Sequence, residues 1–188
     1  MERKLRVGLD LDGVLIDHHG HKCRLARERG IELERWQANS NLMRDFVPDR
    51  VYKDIRDSLY ADLTTEAPPV AGALEYLPLL HAEVYIISAR RPENIRYAQD
   101  WLLRNGVYNS VPAGRIFFCG SGSEKPGICR RLGVDLYLDD RLNVLEMLPA
   151  DTRKVLFDPD GIAGRLRPPE AVKVVDDWLQ FTSMVSSR

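Results

Sequence analysis

The sequence contains little cysteine: 3 of its 188 residues, at Cys23, Cys119 and Cys129. Their number is odd and no two of them form a Cys-x-x-Cys pair, which argues against a disulfide framework and against a cysteine-rich zinc site. Unpaired thiols are typical of proteins kept in a reducing compartment, so we expect a cytoplasmic protein.

The sequence also lacks long hydrophobic runs. Arg6 and Asp10 interrupt the apolar stretch near the N-terminus, so it does not form the hydrophobic region of a signal peptide. No uninterrupted apolar run reaches the roughly 18 residues that a membrane span needs. The formal net charge is −1, which gives no field strong enough for general nucleic-acid binding or for attraction to an anionic membrane. We therefore expect no membrane partner, and the same charge argues against a nucleic-acid partner.

Short apolar runs alternate with helical patterns along the chain. Five runs are predicted as strands, at residues 5–9, 83–87, 115–119, 134–138 and 154–157. Helical spacing of apolar residues predicts helices at 71–80, 92–105, 126–132, 141–148 and about 170–184. Because strands that alternate with helices form βαβ units, we expect an α/β fold with a Rossmann-like, doubly wound parallel sheet.

One connection is much longer than a crossover requires. Roughly 70 residues separate the first two predicted strands, whereas a crossover between parallel strands needs only a dozen or more. Residues 17–69 are rich in polar residues with helical spacing, and Pro68 and Pro69 mark the return of the chain. We therefore expect a core domain of residues 1–16 and 70–188, and a small helical cap of residues 17–69 over the carboxyl edge of the sheet.

An acidic turn follows the first predicted strand directly. Asp10 and Asp12 are two residues apart in extended backbone, so their side chains point to the same side. Ligands of open α/β sheets bind beyond the carboxyl ends of the strands. Two carboxylates that converge there repel each other unless a cation or proton lies between them, and oxygen ligands suit Mg²⁺. The alternative is a solvated acidic turn without function.

Three further features favour a site. Ser88 follows the second strand, Lys125 precedes the helix before the fourth strand, and Asp139 and Asp140 follow that strand. Each is unremarkable alone, as a helix-capping serine, a surface lysine or an acidic turn. Since the ends of parallel strands meet at one edge of a sheet, we expect these side chains to face one crevice.

In these motifs the sequence resembles the haloacid dehalogenase-like phosphohydrolase superfamily. The motifs read "DLDGVL", "IISAR", "SEKPG" and "LYLDDR", in the order and on the elements that the superfamily uses. Within the superfamily, "DLDGVLID", "PPVAGALEYLPLL" and "VVDDWLQF" are most similar to the 5′(3′)-deoxyribonucleotidases and related bacterial nucleotidases. The sequence departs from that group at His18, where the group carries an aromatic residue that packs on the nucleobase.

The resemblance implies roles for these residues. Asp10 would be the nucleophile that forms an aspartyl-phosphate, and Asp12 would exchange protons with the leaving group and with water. Mg²⁺ would be held by Asp10, the backbone carbonyl of Asp12, and the acidic pair at the end of the fourth strand. The implied ligands of the phosphoryl oxygens are Ser88, Ala89, Arg90 and Lys125, although a solvated loop arginine is the alternative at position 90. The implied substrate is a small phosphate ester, and a nucleotide in particular.

Several alternatives stay open at this point. The protein could be a non-catalytic phospholigand-binding or assembly protein on the same fold, or a polynucleotide 3′-phosphatase. A zinc site at the local cluster of His18, His19, His21 and Cys23 has no distant partner pair in the sequence. The aromatic residues of the cap could stack on a base, with Trp36 our first choice, or could only fill the core of the cap. The sequence does not determine the oligomeric state.

Overall fold

The computed structural model describes residues 3–187 and contains one parallel sheet of six strands. The order across the sheet is β3-β2-β1-β4-β5-β6, so the chain winds outward from β1 in both directions. This order confirms the predicted doubly wound α/β fold. The strands are β1 Arg6–Leu9, β2 Glu83–Ala89, β3 Ile116–Cys119, β4 Leu136–Asp139, β5 Arg153–Phe157 and β6 Val172–Val175.

The helices lie between the strands and in the long insertion after β1. The α-helices are α1 His19–Arg27, α2 Asp49–Leu59, α3 Leu63–Glu66, α4 Ala73–Tyr76, α5 Ile95–Arg104, α6 Lys125–Leu132, α7 Leu142–Met147, α8 Ala163–Leu166 and α9 Trp178–Ser186. Short 3₁₀ helices occur at Arg35–Ala38, Met43–Asp45, Leu77–Leu79, Pro92–Asn94, Val107–Asn109, Ala113–Arg115 and Gly122–Glu124. None of the helices described is both long enough and apolar enough to cross a membrane.

The prediction of a single helix over residues 170–184 is wrong. The chain first forms β6, which pairs in parallel with β5 and is itself the edge strand of the sheet, and α9 begins only at Trp178. Asp177 starts α9 by accepting a hydrogen bond from the backbone N–H of Gln180, at 2.7 Å. The valines around Lys173 favour a strand, and the open edge of β5 supplies the hydrogen bonds that a helix would otherwise make internally.

Alternate residues along the strands pack on opposite faces of the sheet, so each face has its own core. Val84 and Ile86 belong to the larger core with Trp101 and Trp178, whereas Ile87 belongs to the other core. Strands buried on both faces are typical of parallel sheets covered by helices. At the centre, Gly8 has no room for a side chain, because a Cβ there would lie 2.4 Å from the ring of Tyr137.

Residues 17–69, the proposed cap, have a small apolar core of their own. It is formed by Leu25, Ala26, Met43, Val47, Ile55 and Leu59. The two connections to the sheet run side by side: the N–H of Asp17 donates to the carbonyl of Pro68, and the N–H of Val70 donates to the carbonyl of Leu15. These features support the proposed division into a core domain and a cap.

Candidate active site

The predicted polar residues lie together because β1 is flanked by β2 and β4. Asp10 leaves the end of β1 with its N–H donating to the carbonyl of Leu138 on β4, at 2.9 Å. Asp139 is the last residue of β4, and Ser88 lies near the end of β2. The structure therefore brings the ends of three neighbouring strands to one place.

Lys125 lies between two of the carboxylates. Its Nζ is 2.8 Å from Asp10 Oδ1 and 2.8 Å from Asp139 Oδ2, and its side chain is buried. Burial alone would lower the pKa of Lys125, but the two carboxylates raise it well above its usual value. The lysine is therefore charged, and it is fixed at the N-terminus of α6 by two charge-assisted contacts.

The acidic cluster holds more negative charge than Lys125 can balance. Burial, reinforced by the charges of Asp139, Asp140 and Asp12, raises the pKa of Asp10 well above its usual value despite Lys125. Burial and the charge of Asp139 raise the pKa of Asp140 to about 6. Asp140 Oδ1 is buried and has no hydrogen-bond partner among the described residues. Such a carboxylate cluster is short of positive charge.

These carboxylates fit a hard divalent cation. One oxygen each from Asp10, Asp139 and Asp140 lies within 4.8 Å of the others, and all three residues are buried. Carboxylate oxygens without nitrogen or sulfur donors suit Mg²⁺. The side chain of Asp12 is not in this group, so its predicted contribution to a metal site is limited to its backbone carbonyl.

A glycine lets the chain pass close to this cluster. Gly13 has φ +87°, and a Cβ at this position would lie 2.3 Å from Asp140 Oδ2. A residue with a side chain would be strained in this backbone conformation and would displace the carboxylate. Gly13 therefore keeps the turn after Asp12 compact enough for Asp140 to approach.

Asp12 is held on both oxygens by groups from different parts of the chain. Arg90 Nε donates to Asp12 Oδ2 at 3.2 Å, and Arg90 Nη2 donates to Oδ1. His18 Nε2 lies 2.8 Å from the same Oδ1. Although burial would raise the pKa of Asp12, Arg90 and His18 lower it below its ordinary range. Asp12 is therefore ionised in this arrangement.

The alternative of a solvated loop arginine at position 90 is wrong. The side chain of Arg90 is fully buried, and its Nη1 donates to Thr64 Oγ1 of the cap at 3.0 Å. The guanidinium also lies over the ring of Tyr60, 5.0 Å from its centroid. Arg90 thus joins Asp12 to the cap, a contact that its position after β2 did not reveal.

The remaining predicted phosphate ligands lie around the same site. Ser88 is fully buried, and its hydroxyl oxygen is 3.4 Å from Asp12 Oδ2. Ala89 lines an open cavity of about 310 Å³ that also reaches Asp10, Asp12, Lys125 and Asp140. Ligand pockets typically begin at about this volume, so the cavity suits a small ligand.

The cap contributes one wall of this cavity, although not through Trp36. The cap residues that line it are Ser40, Arg44, Tyr52, Arg56, Asp57 and Tyr60. Trp36 instead packs edge-on against Phe46, with ring centroids 5.4 Å apart, and carries the guanidinium of Arg165 on its ring. Our first choice of a pocket aromatic is therefore wrong, because the aromatic residues of the cap that line the cavity are Tyr52 and Tyr60.

A second polar cluster, which the sequence did not predict, joins the cap to the loop after β5. His19 lies between two carboxylates, with Nδ1 2.9 Å from Asp17 Oδ1 and Nε2 2.9 Å from Asp160 Oδ2. Arg35 bridges the same two aspartates, and Asn39 donates to Asp160 at 3.0 Å. We call these five residues the clasp.

The clasp also bears on the zinc alternative. His19 is engaged by two carboxylates, and His18 by Asp12. Over residues 3–187, the group of side chains placed to hold a metal ion is the aspartate cluster, which includes neither histidine nor cysteine. The structure therefore gives the zinc interpretation no support.

Comparison with known proteins identifies the fold. Three solved structures illustrate it: a HAD family hydrolase from Deinococcus radiodurans with bound phosphate and sodium, a haloacid dehalogenase-like protein from Agrobacterium tumefaciens, and the HAD-hydrolase YfnB from Bacillus subtilis bound to magnesium. Their TM-scores are 0.64, 0.68 and 0.62, at 19%, 16% and 14% identity. The matches cover 96%, 97% and 98% of this chain, and 94%, 97% and 100% of theirs. The chain therefore has the haloacid dehalogenase-like fold.

The sequence relatives point to a narrower group. Two proteins that carry the name "Putative nucleotidase" match, from Oceanobacillus iheyensis at 25% identity and from Bacillus cereus at 23%. The first match covers 94% of this chain and 97% of the relative, and the second covers 77% and 80%. No protein-family model matches the sequence. The resemblance first drawn from the four motifs is confirmed.

Proposed function

We propose that the protein is a Mg²⁺-dependent phosphomonoester hydrolase that acts through an aspartyl-phosphate on a nucleotide or another small phosphate ester. The observation that carries this proposal is the placement of Asp10 at the open cavity, 2.8 Å from Lys125 and beside Asp139 and Asp140. In-line phosphoryl transfer to an aspartate requires a carboxylate, a buried cation and an acidic pair, and all of these lie here at one edge of the sheet.

In the first half of the reaction, an Asp10 oxygen would attack phosphorus and the ester oxygen would leave. Lys125 would orient Asp10 and offset negative charge on the phosphoryl oxygens, with Ser88, Ala89 and Arg90 the proposed additional ligands. A divalent cation held by Asp10, Asp139, Asp140 and the Asp12 carbonyl would supply further positive charge to these oxygens. Breaking the ester bond places negative charge on the leaving oxygen, which Asp12 would protonate.

In the second half, water would attack the aspartyl-phosphate while Asp12 accepts a proton from it. The structure suits this half, because Arg90 and His18 hold Asp12 in its ionised form. Protonation of the leaving group needs the neutral form of Asp12, which contact with Arg90 disfavours. The contact between Arg90 and Asp12 would therefore loosen during the first half of the reaction.

Two observations support a nucleotide among the substrates. The relatives from Oceanobacillus iheyensis and Bacillus cereus are both named as nucleotidases, and the sequence match covers most of the length of each. The cap places Tyr52 and Tyr60 at the cavity, where an aromatic ring can contact the leaving group. The cap would thus select the leaving group, while the strand ends carry out the phosphoryl chemistry.

A phosphatase screen tests this proposal. The purified protein is assayed for release of inorganic phosphate from nucleotides, sugar phosphates, phosphorylated cofactors and a 3′-phosphorylated oligonucleotide, with Mg²⁺ and with EDTA. We expect turnover of small esters that EDTA abolishes and Mg²⁺ restores. Binding without turnover would favour the non-catalytic alternative, and turnover of the oligonucleotide alone would favour the polynucleotide phosphatase.

A further inference from the structure

The active-site cavity is lined by more arginine than phosphoryl transfer requires. Besides the acidic cluster and Lys125, its wall includes Arg44 and Arg56 from the cap and Arg91 and Arg141 from the core. In the proposed reaction, the charge of the phosphoryl group is met by Lys125, Arg90 and a divalent cation, and none of the four arginines of the wall is needed for it. The arginines are therefore available to another part of the ligand.

The four arginines differ in how far their charge is already balanced. Arg56 forms an ion pair with Asp57 at 2.9 Å, and Arg91 lies 3.8 Å from the same carboxylate. For Arg44 and Arg141, no carboxylate of the described residues lies within ion-pair distance. Neither guanidinium is therefore in direct contact with a carboxylate of these residues, although the charge of Asp140 nearby raises the pKa of Arg141 against the effect of burial.

Arg141 is also short of a hydrogen bond. Its Nε is buried and donates to no group within the described part of the chain. A buried donor without an acceptor costs free energy, and a guanidinium pairs best with the two oxygens of a carboxylate or phosphate. An anionic ligand would provide the acceptor that the protein does not.

Arg44 covers one face of an aromatic ring in the wall of the cavity. Its guanidinium lies over the ring of Tyr52, 4.5 Å from the centroid. That face of the ring is occupied by a cation and is not free to stack on a base. The wall formed by Tyr52 and Arg44 therefore presents a positive charge supported by an aromatic ring.

We propose that this cavity selects phosphate esters whose leaving group carries a second anionic group, a carboxylate or a second phosphate, bound by Arg44 and Arg141. The inference rests on the proposed function, because the first phosphate is the one transferred at Asp10. Within nucleotides it predicts a preference for nucleoside bisphosphates over monophosphates. Outside nucleotides it predicts a preference for phosphorylated hydroxy acids over the corresponding alcohols.

Two matched substrate pairs test the inference and separate the two sources of charge. 3-Phosphoglycerate and glycerol 3-phosphate differ by a carboxylate, and adenosine 3′,5′-bisphosphate and adenosine 5′-monophosphate differ by a phosphate. In at least one pair, we expect the more anionic compound to have a kcat/KM about tenfold or more above that of its partner. The difference should arise mainly from a lower KM. A charge-assisted hydrogen bond provides a free energy of this size. Equal kcat/KM within both pairs would overturn the inference.

Variants assign the preference to residues. We expect Arg44→Gln and Arg141→Gln each to reduce the preference within the favoured pair about tenfold. Arg50→Gln is the matched control, because Arg50 is exposed, lies on α2 and does not line the cavity. A preference that both active-site variants retain, with unchanged melting temperatures, would overturn the assignment.

A binding measurement keeps the inference separate from the proposed function. If no ester is hydrolysed, the proposed function fails, and calorimetric titration of the same four compounds then decides the inference alone. Tighter binding of the anionic member, lost in Arg44→Gln, would support the second-anion site. Equal dissociation constants within each pair would contradict it.

Discussion

The guanidinium of Arg90 binds the carboxylate of Asp12 through two nitrogens, with Nε 3.2 Å from Oδ2. The same side chain donates to Thr64 Oγ1 and to the carbonyl of Tyr60, both in the cap. One buried cation therefore connects the proposed acid/base residue to the segment that covers it.

Removing this cation should destabilise the fold. We expect Arg90→Met to lower the free energy of unfolding by about 3 kcal/mol, since one partner of a largely buried ion pair is lost and the other is left uncompensated. Urea denaturation at pH 7 measures the change. The neighbouring Arg91→Met is the control, because Arg91 is exposed and its single ion pair is 3.8 Å long. It should shift stability by less than about 0.5 kcal/mol.

Mg²⁺ should stabilise the protein through the aspartate cluster. A ligand that binds only the folded state at 100 times its Kd adds about 2.7 kcal/mol, which raises the melting temperature. We expect this rise with Mg²⁺ in the unmodified protein and its loss in Asp140→Asn. Asp100→Asn, which changes an exposed residue of α5, should keep it. A full Mg²⁺ effect in Asp140→Asn would remove Asp140 from the site.

Without metal, Asp140→Asn should not destabilise the fold. Burial and Asp139 raise the pKa of Asp140 to about 6, above its unfolded value, so its ionised form disfavours folding at pH 7. We expect the melting temperature of Asp140→Asn in EDTA to equal or exceed that of the unmodified protein. A clear decrease would show that the Asp140 carboxylate supports the fold even without a cation.

The clasp should make stability depend on pH. Although burial opposes it, the contacts with Asp160 and Asp17 raise the pKa of His19, and the pKa values of both aspartates are lowered. A raised histidine pKa stabilises the fold below the unfolded value of about 6.5, and this contribution is lost as pH rises through the folded pKa. The aspartate contributions are present above about pH 4 and are lost as pH falls through the folded pKa values.

The matched variant is His19→Gln. We expect it to cost about 2 kcal/mol at pH 5.5, the scale of a charged hydrogen bond, and less at pH 8.5. Urea denaturation of both proteins at the two pH values measures the difference in stability between them. The contributions of the other titrating groups are the same in both proteins and cancel in this difference. A gap that is equal at both pH values, or larger at pH 8.5, would contradict the charged clasp.

Alanine substitutions of two aromatic residues of the cap should distinguish a residue that lines the cavity from one that packs away from it. We expect Tyr52→Ala to raise KM several-fold for the substrate that the screen identifies, because Tyr52 lines the cavity and supports Arg44. Trp36→Ala should leave KM within about twofold, since Trp36 contacts Phe46 and Arg165 away from the cavity. A larger KM change in Trp36→Ala than in Tyr52→Ala would contradict this placement.

The local sequence was sufficient to predict the positions of those site residues that lie at the ends of parallel strands. Asp10, Ser88 and Asp139 each follow or end an apolar run, and the carboxyl ends of neighbouring parallel strands share one edge. Their proximity therefore follows from strand order alone. Lys125 could be placed at the same edge because it opens the helix that precedes β4.

Contacts between distant segments were not predictable in the same way. His19 and Asp160 are separated by 141 residues, and nothing in the pattern around either one indicates the other. Arg90 and Trp36 show the same limit, because the fold of the cap determines which side chains it buries and which it turns toward the cavity. The β6 strand forms because β5 can pair with a further strand on the side away from β4. This pairing is a tertiary contact, and it overrides the helix that the sequence pattern predicts.

The proposal that Asp10 is the nucleophile is tested most directly by the kcat of Asp10→Asn on a small phosphate ester with Mg²⁺, beside the exposed control Asp100→Asn. We predict that Asp10→Asn folds with a similar melting temperature and loses at least ~10³-fold in kcat, about 4 kcal/mol of transition-state stabilisation, while the control retains full activity. An Asp10→Asn variant that keeps more than about a tenth of the normal kcat would contradict the account, since that corresponds to less than about 1.4 kcal/mol.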